Sequence, residues 1–263
     1  MNSQATKELE GHLIFDNLDY FIEFYDSLSF GVFSFASQGV KAVFNFDSYI
    51  FSSMKGTLDS IKTILTIGRI NDAYALLRKF YDSVVINIYV DLYLQDNFKF
   101  ENIIVEKINN WYEGKEDLPR IKQMDTYINN SISLKEINSF INKDDRYKKI
   151  RENCNDHVHY NKYSILLSND NEIFYKERLK LVDQLLYDLK NIVILHLSYI
   201  FMINEHYMIS SDYMDSLEMG MTPEPEAEYY VAPYIQEMFD ILIKKERNDI
   251  VELLKSNINM RLE

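Results

Sequence analysis

Reactive side chains concentrate in one window, Arg151-Glu152-Asn153-Cys154-Asn155-Asp156-His157-Val158-His159-Tyr160-Asn161. Imidazole titrates near neutrality and can take up or return a proton, and a guanidinium offers a planar fork of donors to phosphate oxygens. Together with an amide, those groups make a polar face able to do acid-base work. At about 100° per residue of an α-helix, Arg151, Asn155 and His159 fall near 0°, 40° and 80°, on one face, while His157 falls about 240° from Arg151. We therefore favour Arg151, Asn155 and His159 as the working set, with His157 as the alternative imidazole. A solvated helix face carrying ordinary polar residues is the competing reading. Cys154 reads as a small buried residue because nothing marks it as a thiolate, and His196, inside an apolar run, reads as a hydrogen-bonded core histidine.

The elements that must carry this window follow from apolar spacing. Ile50, Met54, Leu58, Ile61 and Leu65 form one stripe over 46–67, closed by Gly68. A second helix runs from Asn71 or Asp72 through Leu77, Phe80, Val84, Ile88 and Leu92, and the short link makes the two an antiparallel hairpin. The window itself lies on a third helix, from Arg146 to about Tyr163. A fourth, over about 172–207, carries Leu181, Leu185 and Leu189 and then the apolar run Ile192–Ile203. The expected fold is all-α: a four-helix bundle core with additional N- and C-terminal helices. Residues 1–40 form an N-terminal packing segment with a loop over 27–40. Residues 41–210 form the bundle. Residues 211–263 form a C-terminal helical extension after an acidic, proline-containing connector, with closing helices over 229–245 and 248–255.

Composition limits the alternatives. The chain has 263 residues, 47% of them hydrophobic, with seven Gly and four Pro, too few for a many-turned β-fold or a Gly-loop nucleotide fold. A single cysteine excludes an internal disulfide and suggests a reducing, cytoplasmic setting. The start of the chain lacks a secretory signal, and the longest apolar run is shorter than the ~20 residues a membrane span needs, so no membrane is expected. No Walker loop, GxGxxG, HExxH or metal-spaced His/Asp/Glu cluster occurs, so no cofactor is expected. An acidic pair such as Asp82 and Asp156 could in principle hold a cation. The formal charge of −13 argues against a broad nucleic-acid surface. Yet the acidity sits at the two ends, whereas Lys143, Arg146, Lys148, Lys149 and Arg151 outnumber Asp144 and Asp145 just before the window. RNA is compatible as a short, local contact.

On a third bundle helix the window resembles the signature of the HEPN superfamily, an Arg followed after four to six residues by His, most often RNxxxH. Arg151 to His157 satisfies the loose spacing; Cys154-Asn155-Asp156-His157-Val158-His159 matches the tight form except that Cys154 stands where Arg belongs. Leu76-Leu77-Arg78 with Asp82 on the second helix is similar to a supporting pattern in this group. Arg78 and Asp82, at i and i+4, would pair with each other or face the third helix. The resemblance spans about residues 46–207. It implies RNA cleavage without a metal, a homodimer with two motifs lining one cleft, and a toxin or anti-phage defence role with an antitoxin or defence-system partner protein. Two other readings stay open: a catalytically inert interaction module, and a small-molecule or nucleotide binder using the Arg151 and Asn155 face.

Overall fold

The computed structural model describes residues 7, 9–35, 46–99, 104–170, 172–173 and 175–263. Among these residues the chain is all-α, and Ile209 and Val231 form an isolated antiparallel β-bridge. The α-helices are α1 (Ile14–Phe35), α2 (Phe46–Thr66), α3 (Ile70–Asn97), α4 (Glu106–Tyr112), α5 (Ile121–Asn130), α6 (Lys135–Ile141), α7 (Arg146–Val158), α8 (Tyr163–Leu167), α9 (Arg178–Ile203), α10 (Ser211–Glu218), α11 (Pro233–Met238) and α12 (Val251–Asn257). Helix α11 continues through a π-helical turn, Phe239–Ile243, into a last turn, Lys244–Glu246.

The chain gathers into two compact units, each drawn from three stretches: Met1–Asp26, Tyr49–Val84 and Asp144–Val193 in the first, Ser27–Ser48, Val85–Lys143 and Ile194–Glu263 in the second. In the first unit the apolar stripes meet as their spacing dictates. Leu18, Phe21 and Tyr25 of α1, Met54, Leu58, Ile61 and Leu65 of α2, Leu77, Phe80 and Val84 of α3, and Val182, Leu185 and Leu189 of α9 are all buried. Each such side chain stabilises by roughly 1.5–3 kcal/mol when removed from water. The rings of Tyr25 and Phe80 meet edge to face, 5.8 Å between centroids.

The α2–α3 hairpin turns on Gly68. Its φ of +76° is a left-handed conformation that costs a Cβ-bearing residue energy, and it lets the Gly68 N–H reach Leu65 O (2.9 Å) and the Arg69 N–H reach Ile64 O (3.2 Å). The buried Arg178 guanidinium donates to Gly68 O and Asp170 O, fixing the turn against the start of α9. The first N–H groups of α3 are capped from a distance in sequence: Asn169 Oδ1 accepts from the Asn71 N–H at 2.9 Å.

The second unit is built on the remainder of α3 and α9. Ile194, Leu197, Ile200 and Phe201 of α9, Ile235 and Met238 of α11, Phe239 and Ile243 of its π turn, and Leu254 of α12 are buried. Helix α9 is long and apolar enough to cross a membrane, with a mean hydropathy of 1.4, but 78% of its most apolar window is buried within the protein. An all-round apolar helix of this kind is the pattern of a core helix.

Several boundaries differ from the sequence expectation. Helix α1 runs on through Gly31 to Phe35, where a loop from Ser27 was expected, because Leu28 and Val32 extend its buried stripe. The rest of that expected loop, 36–40, lies outside the described residues. Helix α7 stops at Val158 instead of near Tyr163, and α9 spans Arg178–Ile203 instead of 172–207. Ser211–Glu218, expected to lead into the connector, is helical because Met214 has a buried side to pack.

Candidate active site

All residues of the sequence-defined window belong to the first unit. Helix α7 presents Tyr147, Ile150, Cys154 and His157 inward at spacings of three and four, leaving Arg151 and Asn155 half-buried beside that stripe. The helix is stopped by Tyr160, whose φ of 51° is left-handed. His159 is the C-cap, and its N–H still reaches Asn155 O at 3.0 Å, so it stands one turn above Asn155 at the carbonyl end of the helix. The Asn161 N–H closes the turn on Asp156 O at 3.0 Å, and the Asp156 carboxylate accepts from Asn161 Nδ2 (2.8 Å) and Lys162 Nζ (2.7 Å). Those two contacts, Asn161 first, hold the Asp156 carboxyl below the usual carboxylate range. Asp156 is thereby used as a clamp for the turn.

A left-handed tyrosine costs about 1–2 kcal/mol that glycine does not incur. Tyr160→Gly is therefore expected to raise stability by up to about 1 kcal/mol, roughly 2–4 °C in Tm for a chain of this size. Thermal unfolding of the variant checks this, and a lower Tm would show that contacts of the phenol outweigh the backbone strain.

The two imidazoles have different surroundings. His157 is buried, its ring stacked on Tyr74 with centroids 3.9 Å apart and planes at 13°, and its Nδ1–H donates to Asn71 Oδ1 at 2.9 Å. Burial lowers its pKa to about 4, so near neutral pH it is an uncharged packing group joining α7 to the start of α3. His159, by contrast, is exposed. Arg151, half-buried, makes further interactions within the protein.

Arg78 and Asp82 pair with each other on α3, Nη2 to Oδ1 at 3.0 Å, and their charges also act on the Cys154 thiol of α7. Burial, with the nearby Asp188 charge, pushes that thiol up to about 12, so Cys154 is a packing group and not a nucleophile.

Asp188, on α9, was not singled out from the sequence. It is buried, accepts hydrogen bonds from Asn153 Nδ2 (3.1 Å) and Gln184 Nε2 (2.7 Å), and its carboxyl is raised to about 6 by desolvation. The signal for it was present: an acid inside the stripe Leu181, Leu185, Leu189, Ile192 must turn a charge inward. Among the described residues no group of three or more His, Cys, Asp or Glu could hold a metal ion, and Asp82 and Asp156 are each committed to the contacts above.

No protein-family model, curated protein or solved structure matches this chain.

Proposed function

We propose that the chain is an endoribonuclease of the HEPN type working at the exposed end of α7. His159 takes the proton of a ribose 2′-OH as that oxygen attacks the adjacent phosphorus. Arg151 neutralises charge developing on the phosphoryl oxygens, and Asn155 orients the phosphate. The 5′-oxygen leaves taking a proton from water while His159 returns its proton to solvent, so the products are a 2′,3′-cyclic phosphate and a 5′-hydroxyl. The observation that carries the reading is the separation of the two histidines: His157 is locked against Tyr74 and Asn71, while His159 is solvent-facing one turn from Asn155. Arg78 supports it as a cation beside Cys154, where the motif's own Arg is missing. We also propose that it acts as a homodimer in a reducing, cytoplasmic compartment.

Exposed rings follow His159 along the chain: Tyr160 at 47% and Tyr163 at 76% exposure. Unpaired bases stack on such rings. Unstructured RNA is therefore the substrate to offer, in buffer containing a chelator, with the products tested for a cyclic phosphate end. Tyr163→Ala is expected to raise KM roughly tenfold with kcat little changed, since stacking contributes to binding at a distance from the reacting atoms. Absence of cleavage by the purified full chain would overturn the proposal.

A second reading, an inert helical interaction module (an antitoxin or defence-complex subunit), is favoured by the exposed apolar side chains Val158 within the motif and Leu166, Ile173 and Leu179 after it. Expression separates the two: the nuclease arrests its host and Arg151→Ala relieves the arrest, while the module is harmless in both forms.

A further inference from the structure

The second unit carries an open cleft of about 760 Å³ that the proposed reaction does not use, lined by the end of α3, by α5 and by the turn that follows α5. Its walls are fixed from behind. The buried Asn138 of α6 donates from Nδ2 to Ile128 O (2.9 Å) and Asn129 O (3.3 Å), and the buried Tyr199 of α9 donates in turn to Asn138 Oδ1, which holds the last carbonyls of α5 in place. Asn142 Nδ2 donates to Asn129 Oδ1 at 2.7 Å, and the Ser131 and Ser133 hydroxyls bond each other at 2.9 Å across the turn. On α3, Asp96 Oδ2 accepts from the Tyr127 phenol at 2.7 Å, and the Tyr127 ring packs on Tyr89 and Tyr93 with centroids 5.4 and 5.7 Å apart.

The lining decides the chemistry of a ligand. Among the described residues its one charged side chain is the Asp96 carboxylate, which repels phosphates and other anions. The aromatic cluster that would draw a cation already carries one, the Lys107 ammonium, 5.2 Å from the Tyr93 ring centre and 5.9 Å from that of Tyr89. The other polar lining groups are neutral amides and hydroxyls. Among the described residues Asp96 Oδ1, Gln123 Nε2 and the Asn130 amide have no protein partner, so the cleft offers one strong acceptor together with two amide donors. A carboxylate can accept from two neighbouring hydroxyls at once, and Ile132, 90% exposed in the same lining, can cover C–H surface.

We propose that this cleft binds a neutral, polyhydroxylated ligand, a sugar ring, with Asp96 and Asn130 as its principal polar contacts. Its volume lies within the ordinary range of small-molecule sites and exceeds that of one pyranose, so a mono- or disaccharide fits. An open site with a handful of water-exposed hydrogen bonds holds such a ligand with a roughly millimolar Kd. The proposal does not depend on RNA cleavage: the lining residues belong to the second unit, and Arg151, Asn155 and His159 to the first.

The test is ligand-detected NMR on the full chain, with glucose, galactose, mannose, N-acetylglucosamine, maltose and cellobiose offered singly and spermidine as a cationic probe. At least one sugar should bind saturably. Asp96→Asn, which keeps an acceptor for the Tyr127 phenol, and Asn130→Ala should each weaken that binding about tenfold with Tm unchanged. Should Asp96→Asn not fold, Asn130→Ala and Ser133→Ala decide by the same criterion. Binding of none of these sugars overturns the proposal, and so does a sugar that the variants hold as tightly as the native chain does, because it then sits elsewhere. Spermidine binding that Asp96→Asn abolishes, with no sugar bound, overturns it too and assigns the cleft to a cation.

Discussion

Replacing His159 by alanine is expected to lower the RNA-cleavage rate by about 10²–10⁴-fold, the usual worth of a positioned acid-base group, while leaving Tm within about 1 °C of the native value. The second half follows from position: the ring is exposed on a C-cap, and the backbone bond to Asn155 O survives the substitution. His157→Ala should do the reverse. It empties a buried site, removes the stack on Tyr74 and strands Asn71 Oδ1, at a cost of about 2–4 kcal/mol, with cleavage at low temperature retained by the molecules that remain folded. The pair of variants separates chemistry from structure within two positions of one helix. If cleavage survives in His159→Ala and vanishes in folded His157→Ala, the wrong imidazole has been assigned. If both retain full cleavage, α7 is not the site.

The helix angle of 240° between Arg151 and His157 was enough to say that the two point apart, and the structure gives the reason the angle matters: the inward stripe of α7 is Ile150, Cys154 and His157. The long helices α2, α3 and α9 were readable because their stripes are unbroken over four or more turns, and Gly68 marked a turn whose geometry demands a glycine. The end of α7 was not readable. A tyrosine in a left-handed conformation gives no residue-type signal, and the clamp that holds it, Asp156 to Asn161 and Lys162, acts across the turn. Asp47 lies in the first turn of α2, where an acid is ordinary, although it accepts hydrogen bonds in a buried network; Asn87 and Asp91 gave no separate signal within α3. Buried polar groups are recognised by their partners, and Asn204 lies 113 residues from Asp91 in sequence and Tyr207 160 residues from Asp47.

Neutral buried histidines also make a prediction about acid. The folded pKa of His157 is about 4 against an ordinary value of 6.5, so its contribution is complete above pH 6.5 and is lost as the pH falls toward 4, because the unfolded chain takes up a proton that the folded ring refuses. Integrated over that window the loss is about 3 kcal/mol. Asp188, raised to about 6, runs the other way: its folded form holds a proton that the unfolded chain releases, so it regains stability as the pH falls from 6 toward 4. The native chain should therefore show a flatter acid profile than either group alone would give. His157→Phe uncovers the compensation. Phenylalanine can keep the stack on Tyr74 but neither titrates nor donates to Asn71, so the variant should be about 1–3 kcal/mol less stable than the native chain at pH 7.5, from the stranded Asn71 oxygen. The deficit should shrink steadily below pH 6.5 and approach zero or change sign by pH 4.5. Urea unfolding at five or six pH values measures both curves. A deficit that is constant across the range would mean that His157 titrates alike in the folded and unfolded chains, and that the Asn71 contact, not desolvation, is the whole of its role.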